Sequence, residues 1–112
     1  MTLSKGDIVI IPVPFTDNVG YKMRPAVVIS NEEVHAIGDA LIVQITSRQK
    51  NDGLSIEIKP DDLNISLPVK SFIRYHKIFV LEQKLIKGVV SHLNPASYNN
   101  LIQEINQVIS QH

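Results

Sequence analysis

The chain contains no cysteine. That single absence removes disulfides, thiolate zinc sites and a cysteine nucleophile together. No stretch approaches the roughly 20 uninterrupted apolar residues that a membrane span requires. The apolar opening, MTLSKGDIVIIPVPF, is interrupted early by Asp7 and is followed by no small-residue cleavage site, so it reads as a strand of the mature protein and not as a signal peptide. A soluble cytoplasmic protein is therefore the expectation. Internal repeats, linkers and low-complexity segments are also lacking. With 112 residues, 44% of them apolar, the chain reads as a single domain, 1–112, able to bury a core.

Net charge is missing as well, since 11 Lys and Arg balance 11 Asp and Glu. This argues against a generic basic coat protein for nucleic acid, whose affinity comes from uncompensated cations. Zero is nevertheless an uneven sum. Residues 51–64 carry a net −3, residues 65–92 a net +4, and the first fifty residues balance. A basic segment is thus offset by the acidic one before it, which leaves both a local basic site and ordinary solvated faces open.

What is present reads mostly as short strands. Residues 7–13 are rich in Ile and Val, and Pro12 and Pro14 push them toward a sheet edge or strand end. Residues 16–24, with Asp17, Asn18 and Gly20, form a loop, and residues 25–30 (PAVVIS) a strand covered on both faces. Further strands are expected at 41–46, at 55–59 after the Asn51-Asp52-Gly53 turn, at 71–81 as one or two bent pieces, and at 89–93. Residues 60–70 form a polar connection. Residues 82–87 suit a short helix with Gly88 just past its end. The tail is the clearest helix: Asn94 suits the N-cap, Pro95 the first helical position, and Tyr98, Leu101, Ile102, Ile105, Val108 and Ile109 share one face. Several short strands and one terminal helix give a mainly β fold, built on a strongly curved sheet or barrel.

Two segments say more than pattern. KGDIVIIPVPFTDNVGYKMRPAVVISN pairs Gly6-Asp7-Ile8-Val9 and Pro14-Phe15 with Arg24-Pro25-Ala26-Val27-Val28-Ile29 across a turn-rich loop, and SFIRYHKIFVLEQKLI follows later, with Gln44-Ile45-Thr46-Ser47 between them. In these blocks, and in their spacing over nearly the whole chain, the sequence resembles the MazF/PemK family, the RNA-cutting toxins of bacterial toxin–antitoxin pairs. The resemblance implies an SH3-like β-barrel with a helical C-terminus, acting as a homodimer. It implies metal-independent, sequence-specific cleavage of single-stranded RNA through attack of the ribose 2′-OH. A cognate antitoxin protein would inhibit it, and no cofactor is called for.

Such cleavage needs a group to take the 2′-OH proton, one to protonate the leaving 5′-oxygen, and donors for the charged phosphorane. Arg24 suits the last task, because its guanidinium is a planar fork of donors and the following Pro25 favours an extended backbone at a strand mouth. The bland alternative is a surface arginine paired with Asp17 or Glu32. Thr46 can donate its hydroxyl to the phosphate or simply cap the next turn, and Ser47 is a second donor. Arg74 and His76, two apart on an expected strand, should share a face, and Arg74, always cationic, suits a phosphate better than proton transfer. His76 stands where the family often has an acidic residue, and it is either a proton-transfer group or an ordinary half-exposed strand histidine.

Phe15 and Tyr21 are base-stacking candidates, though Phe15 fits a core equally well. Lys22, Lys50, Lys70 and Lys77 are candidate phosphate contacts. His35, His92 and His112 show no ligand spacing, so no metal site is expected. Two rival functions remain: a poison of DNA gyrase built on a similar barrel, as in the related CcdB toxins, and a catalytically silent homologue that only binds an antitoxin.

Overall fold

Strand β1 (Asp7–Pro14) is fastened at its first residue. The buried Asp7 carboxylate accepts from the Ser4 amide at 2.8 Å and lies 2.8 Å from His92 Nδ1, tying the start of β1 to the end of the last strand. The computed structural model describes residues 2–17 and 19–110, so Asn18 and His112 of the expectations above lie outside it. After β1 come β2 (Tyr21–Val28), α1 (Glu32–Ala36), β3 (Asp39–Thr46), β4 (Ser55–Ile58), β5 (Ser71–Glu82), β6 (Gly88–His92) and α2 (Pro95–Ile109).

The six strands form one antiparallel sheet in the order β4-β5-β3-β2-β1-β6. Its two edges approach each other through the segment that follows β4. Leu63 bridges Leu93, and the Asn94 amide donates to the Asp62 carbonyl at 2.8 Å. The curled sheet and its C-terminal helix are the mainly β, SH3-like barrel architecture that the sequence led us to expect. β6 covers β1 only from Asp7 to Ile10, so Pro12 and Pro14 sit on the half that lacks this neighbour and needs no donor there.

Strand alternation gives the sheet two apolar faces. Ile8, Val27, Val43, Ile45 and Ile73 pack with Leu101 and Ile105 of α2, whereas Val9, Ile11, Ala26, Val28, Ala40 and Ile42 pack with Leu3 and Ile86. Of the residues 25–30 expected to be a strand covered on both faces, Ala26, Val27 and Val28 are fully buried, whereas Pro25 and Ile29 are half-buried and β2 ends at Val28. α2 starts as expected: Asn94 caps it by accepting from the Ser97 amide at 2.8 Å, and Pro95 follows.

Two expectations are corrected, and one element is added. The loop at 16–24 is shorter, because β2 already begins at Tyr21 and pairs Tyr21 with Pro14 and Arg24 with Ile11; hairpin register extends the strand into polar sequence. Residues 82–87 form only a single 3₁₀ turn, Gln83–Leu85. There the Gln83 amide donates to the Gly38 carbonyl, and its side chain donates to the carbonyls of His35 and Asp39, which holds the segment against β3. Helix α1 went unread, although Asn31 followed by Glu32 and Glu33 is a capping signal: Asn31 Oδ1 accepts from the Glu33 and Val34 amides.

Candidate active site

The face that carries Val9, Ala26, Val28, Ala40 and Ile42 changes character at one end. The pairing of β2 with β3 ends at Ala26 and Gln44, and Arg24 and Thr46 stand two residues beyond that pair on their strands. Gln44 and Thr46 share a strand face with the buried Ala40 and Ile42, and Arg24 shares one with Ala26. Apolar side chains thus fill one end of this face, and donors occupy the other. They open onto a cleft of about 640 Å³ lined by Val13, Pro14, Phe15, Thr16, Arg24, Gln44, Thr46, Arg48, Lys50, Asp52, Arg74 and Lys77.

Thr46 is buried, and its Oγ1 accepts from the Arg48 amide at 3.2 Å. That bond uses an acceptor lone pair and leaves the hydroxyl proton for another partner. Among the described residues, Arg24 makes no ion pair, so the surface pairing with Asp17 or Glu32 is not formed. Phe15 is 44% exposed and lines the cleft, which places it outside the core.

Arg74 reaches the cleft differently. It is only 6% exposed, and its guanidinium is engaged by the protein: Nη1 donates to Asp52 Oδ1 at 2.9 Å and to Ser55 Oγ at 3.0 Å, while Nη2 lies 2.8 Å from Asp52 Oδ2. The bond from Arg74, and then the one from the Leu54 amide, hold the Asp52 carboxyl down at about 2. Asp52 is accordingly an anion at neutral pH and the single acid among the described lining residues.

The shared face expected for Arg74 and His76 is not observed. β3 and β5 pair Ile45 with Ile73 but Val43 with Ile78, so the stretch 74–77 of β5 lies opposite Gln44 alone. This bulge breaks the period of two. Arg74 and Lys77, three apart, both line the cleft, and His76 does not. His76 is half-buried, with Nδ1 enclosed and without a hydrogen-bond partner among the described residues.

Other expected residues also fall elsewhere. Tyr21 is 61% exposed and lines a separate apolar hollow with Pro12, Pro14, Gly20, Leu85 and Lys87. Lys22 and Ser47 are exposed outside the cleft lining, and Lys70 lies 3.8 Å from Glu57. Lys50 and Lys77 do line it. Gln44, Arg48 and Asp52 were missed as site residues. Arg48 could have been found from its place two residues after Thr46, but nothing local to Asp52 signals a partner 22 residues away. Among the described residues, no three His, Asp or Glu side chains converge as a metal site would need, and no helix is long and apolar enough to cross a membrane.

Against known proteins, residues 4–109 match the family model described as PemK-like, MazF-like toxin of type II toxin–antitoxin system. No curated protein matches the chain in sequence. Among solved structures, the fold is similar to a MazE–MazF crystal structure from Deinococcus radiodurans, with a TM-score of 0.80, 16% identity and full coverage of both chains. An endoribonuclease in complex with its cognate antitoxin from a mycobacterial species gives 0.76 and 15%, covering 99% of this chain and 100% of that one. A second mycobacterial endoribonuclease gives 0.74 and 14%, covering 97% and 92%. At these identities the likeness is one of fold.

Proposed function

The chain belongs to the PemK-like, MazF-like toxins of type II toxin–antitoxin systems, and from that premise we propose that it is an endoribonuclease that cuts single-stranded RNA at short sequences without a metal ion. The observation that carries this reading is that Arg24 and Thr46 open onto one cleft whose described lining holds five cationic side chains and one acid. Such a lining favours a polyanion, and a groove rather than a whole basic surface suffices for an enzyme that grips a few nucleotides.

In the proposed reaction the 2′-OH gives its proton to solvent as its oxygen attacks the adjacent phosphorus, and the bond to the 5′-oxygen breaks as that oxygen takes a proton. A 2′,3′-cyclic phosphate and a free 5′-hydroxyl result. Arg24 presents two donors to the phosphorane oxygens as their charge grows, and the Thr46 hydroxyl adds a third. Lys77 supplies a cationic N–H donor for the leaving oxygen. His76 has no part in this scheme, since it does not line the cleft. Phe15 gives a stacking surface at the rim, a contact worth about 1–3 kcal/mol per base in single-strand binders. Arg48 and Lys50 draw in flanking phosphates. The chain is proposed to act as one domain in the cytoplasm, as a homodimer, under a cognate antitoxin that occupies the same groove.

Incubating the purified protein with a long RNA, with and without EDTA, tests the activity. Discrete cuts that survive EDTA and end in cyclic phosphate support it. Intact RNA together with inhibited DNA supercoiling would move the protein to the gyrase-poison class.

A further inference from the structure

The cleft is cationic except at one corner, where Asp52 and Arg74 meet. A phosphate placed against Arg74 would lie beside the Asp52 carboxylate, which is ionised and already neutralises that guanidinium. The same phosphate at Arg24, Arg48 or Lys50 meets no such anion, because Asp52 is the single acid of the described lining and is taken up by Arg74. The corner therefore discourages the one group that the rest of the cleft attracts.

The corner does keep unused hydrogen-bonding capacity of both kinds. Arg74 has five N–H donors, and the two on Nη1 are spent on Asp52 and Ser55. On the acid, Oδ1 accepts from Arg74 Nη1 at 2.9 Å and from the Leu54 amide at 3.1 Å, whereas among the described residues Oδ2 has only the nearby Nη2. A free acceptor on Oδ2 thus lies beside N–H groups of Nη2. A neutral planar group with a donor and an acceptor side by side fits that pair, and every nucleobase carries such an edge.

The pair is also held in place, as base reading requires. Asp52 is tied to the Leu54 amide, Ser55 braces the guanidinium, and the next residue of the turn, Gly53, accepts from the buried Tyr75 hydroxyl. A contact held from three sides offers a base edge fixed positions and loses little freedom when a base docks.

We propose that the Asp52–Arg74 pair is a base-reading contact, which takes the edge of one unstacked nucleobase and sets the preference at one position of the cleaved sequence. The proposal rests on the ribonuclease reading for its substrate, and it makes Asp52 a specificity residue that a phosphate-binding assignment of Arg74 does not contain.

The test compares wild type, Asp52→Asn and Ser55→Ala on a single-stranded RNA library of random sequence, with the cut ends sequenced. Asp52→Asn should relax the preference at one position by about tenfold, within the range of a single polar base contact. Ser55→Ala, which keeps the carboxylate but removes one brace of the guanidinium, should relax the same position by a smaller factor. An Asp52→Asn enzyme that is slower but has the wild-type profile overturns the proposal. A second arm measures binding of a fluorescent RNA heptamer and of versions abasic at each position in turn. One abasic position should weaken wild type about tenfold and leave Asp52→Asn unaffected; equal losses in both proteins overturn the proposal. If wild type shows the abasic effect but cuts no RNA, the nuclease reading fails alone, and if it binds no RNA, both fail.

Discussion

Arg74 and Tyr75, neighbours on β5, close on the same turn from opposite faces of the sheet. The Arg74 guanidinium donates to the Asp52 carboxylate from the cleft side, and the Tyr75 hydroxyl donates to the Gly53 carbonyl from the side of the core. Burial, with the Glu104 and Asp52 carboxylates behind it, raises the Tyr75 pKa above its ordinary 10.0, so the hydroxyl remains a donor at neutral pH. The β3–β4 connection is thereby pinned beside the cleft, and the acid stays where it can act on substrate.

Replacing Arg24 by Ala should remove cleavage and leave the fold intact. Its side chain makes no ion pair among the described residues, so little stability depends on it. Loss of a donor aimed at developing charge costs about 10²–10³ in turnover. Single-turnover cleavage alongside circular dichroism checks both halves, and wild-type turnover in this variant would remove Arg24 from the reaction.

His76→Gln should leave the pH–rate profile unchanged. A histidine outside the cleft lining, with an enclosed Nδ1, has no path to the reacting oxygens. The check is the rate of cleavage of one RNA from acid to neutral pH in both proteins. An inflection present in wild type and missing in the variant would restore His76 to proton transfer.

Asp52 makes the stability depend on acid in a stated direction. Its carboxyl titrates at about 2 in the fold against an ordinary 3.8. A depressed carboxyl contributes stability that is complete above the unfolded value and is lost as pH falls through the folded one. Thermal midpoints measured between about pH 5 and pH 2 should therefore fall more steeply in wild type than in Asp52→Asn. Parallel curves would mean that the pair with Arg74 does not persist in solution.

Leu101→Ala should destabilise the protein by about 2–5 kcal/mol, since the side chain is fully buried between α2 and the sheet. Asn94→Ala should cost about 1 kcal/mol through the lost helix cap, with some addition from the bond to the Asp61 carbonyl. Urea unfolding measures both, and the order of the two losses is the sharper result.

The strands that span the core and the terminal helix were legible because their causes are local. Ala26, Val27 and Val28 admit a strand covered on both faces, and Asn94-Pro95 ahead of an apolar stripe admits a helix start. Arg24 and Thr46 were legible as donors at strand ends, through their residue types and the family likeness. That they open onto one cleft follows from the pairing of β2 with β3, which single residues do not announce.

What the chain determined by itself is therefore a mainly β fold, a capped terminal helix and two polar residues in the right kind of place. The tertiary structure alone decided which cations share the cleft. A bulge opposite Gln44 put Lys77 beside Arg74 and left His76 out, since alternation along a strand holds only while its partner keeps register. Folding also brought Asp52 to Arg74 across 22 residues, turning an apparent phosphate ligand into half of a paired contact. The local pattern could not supply that, because charge acts through distance in space, and the fold sets that distance.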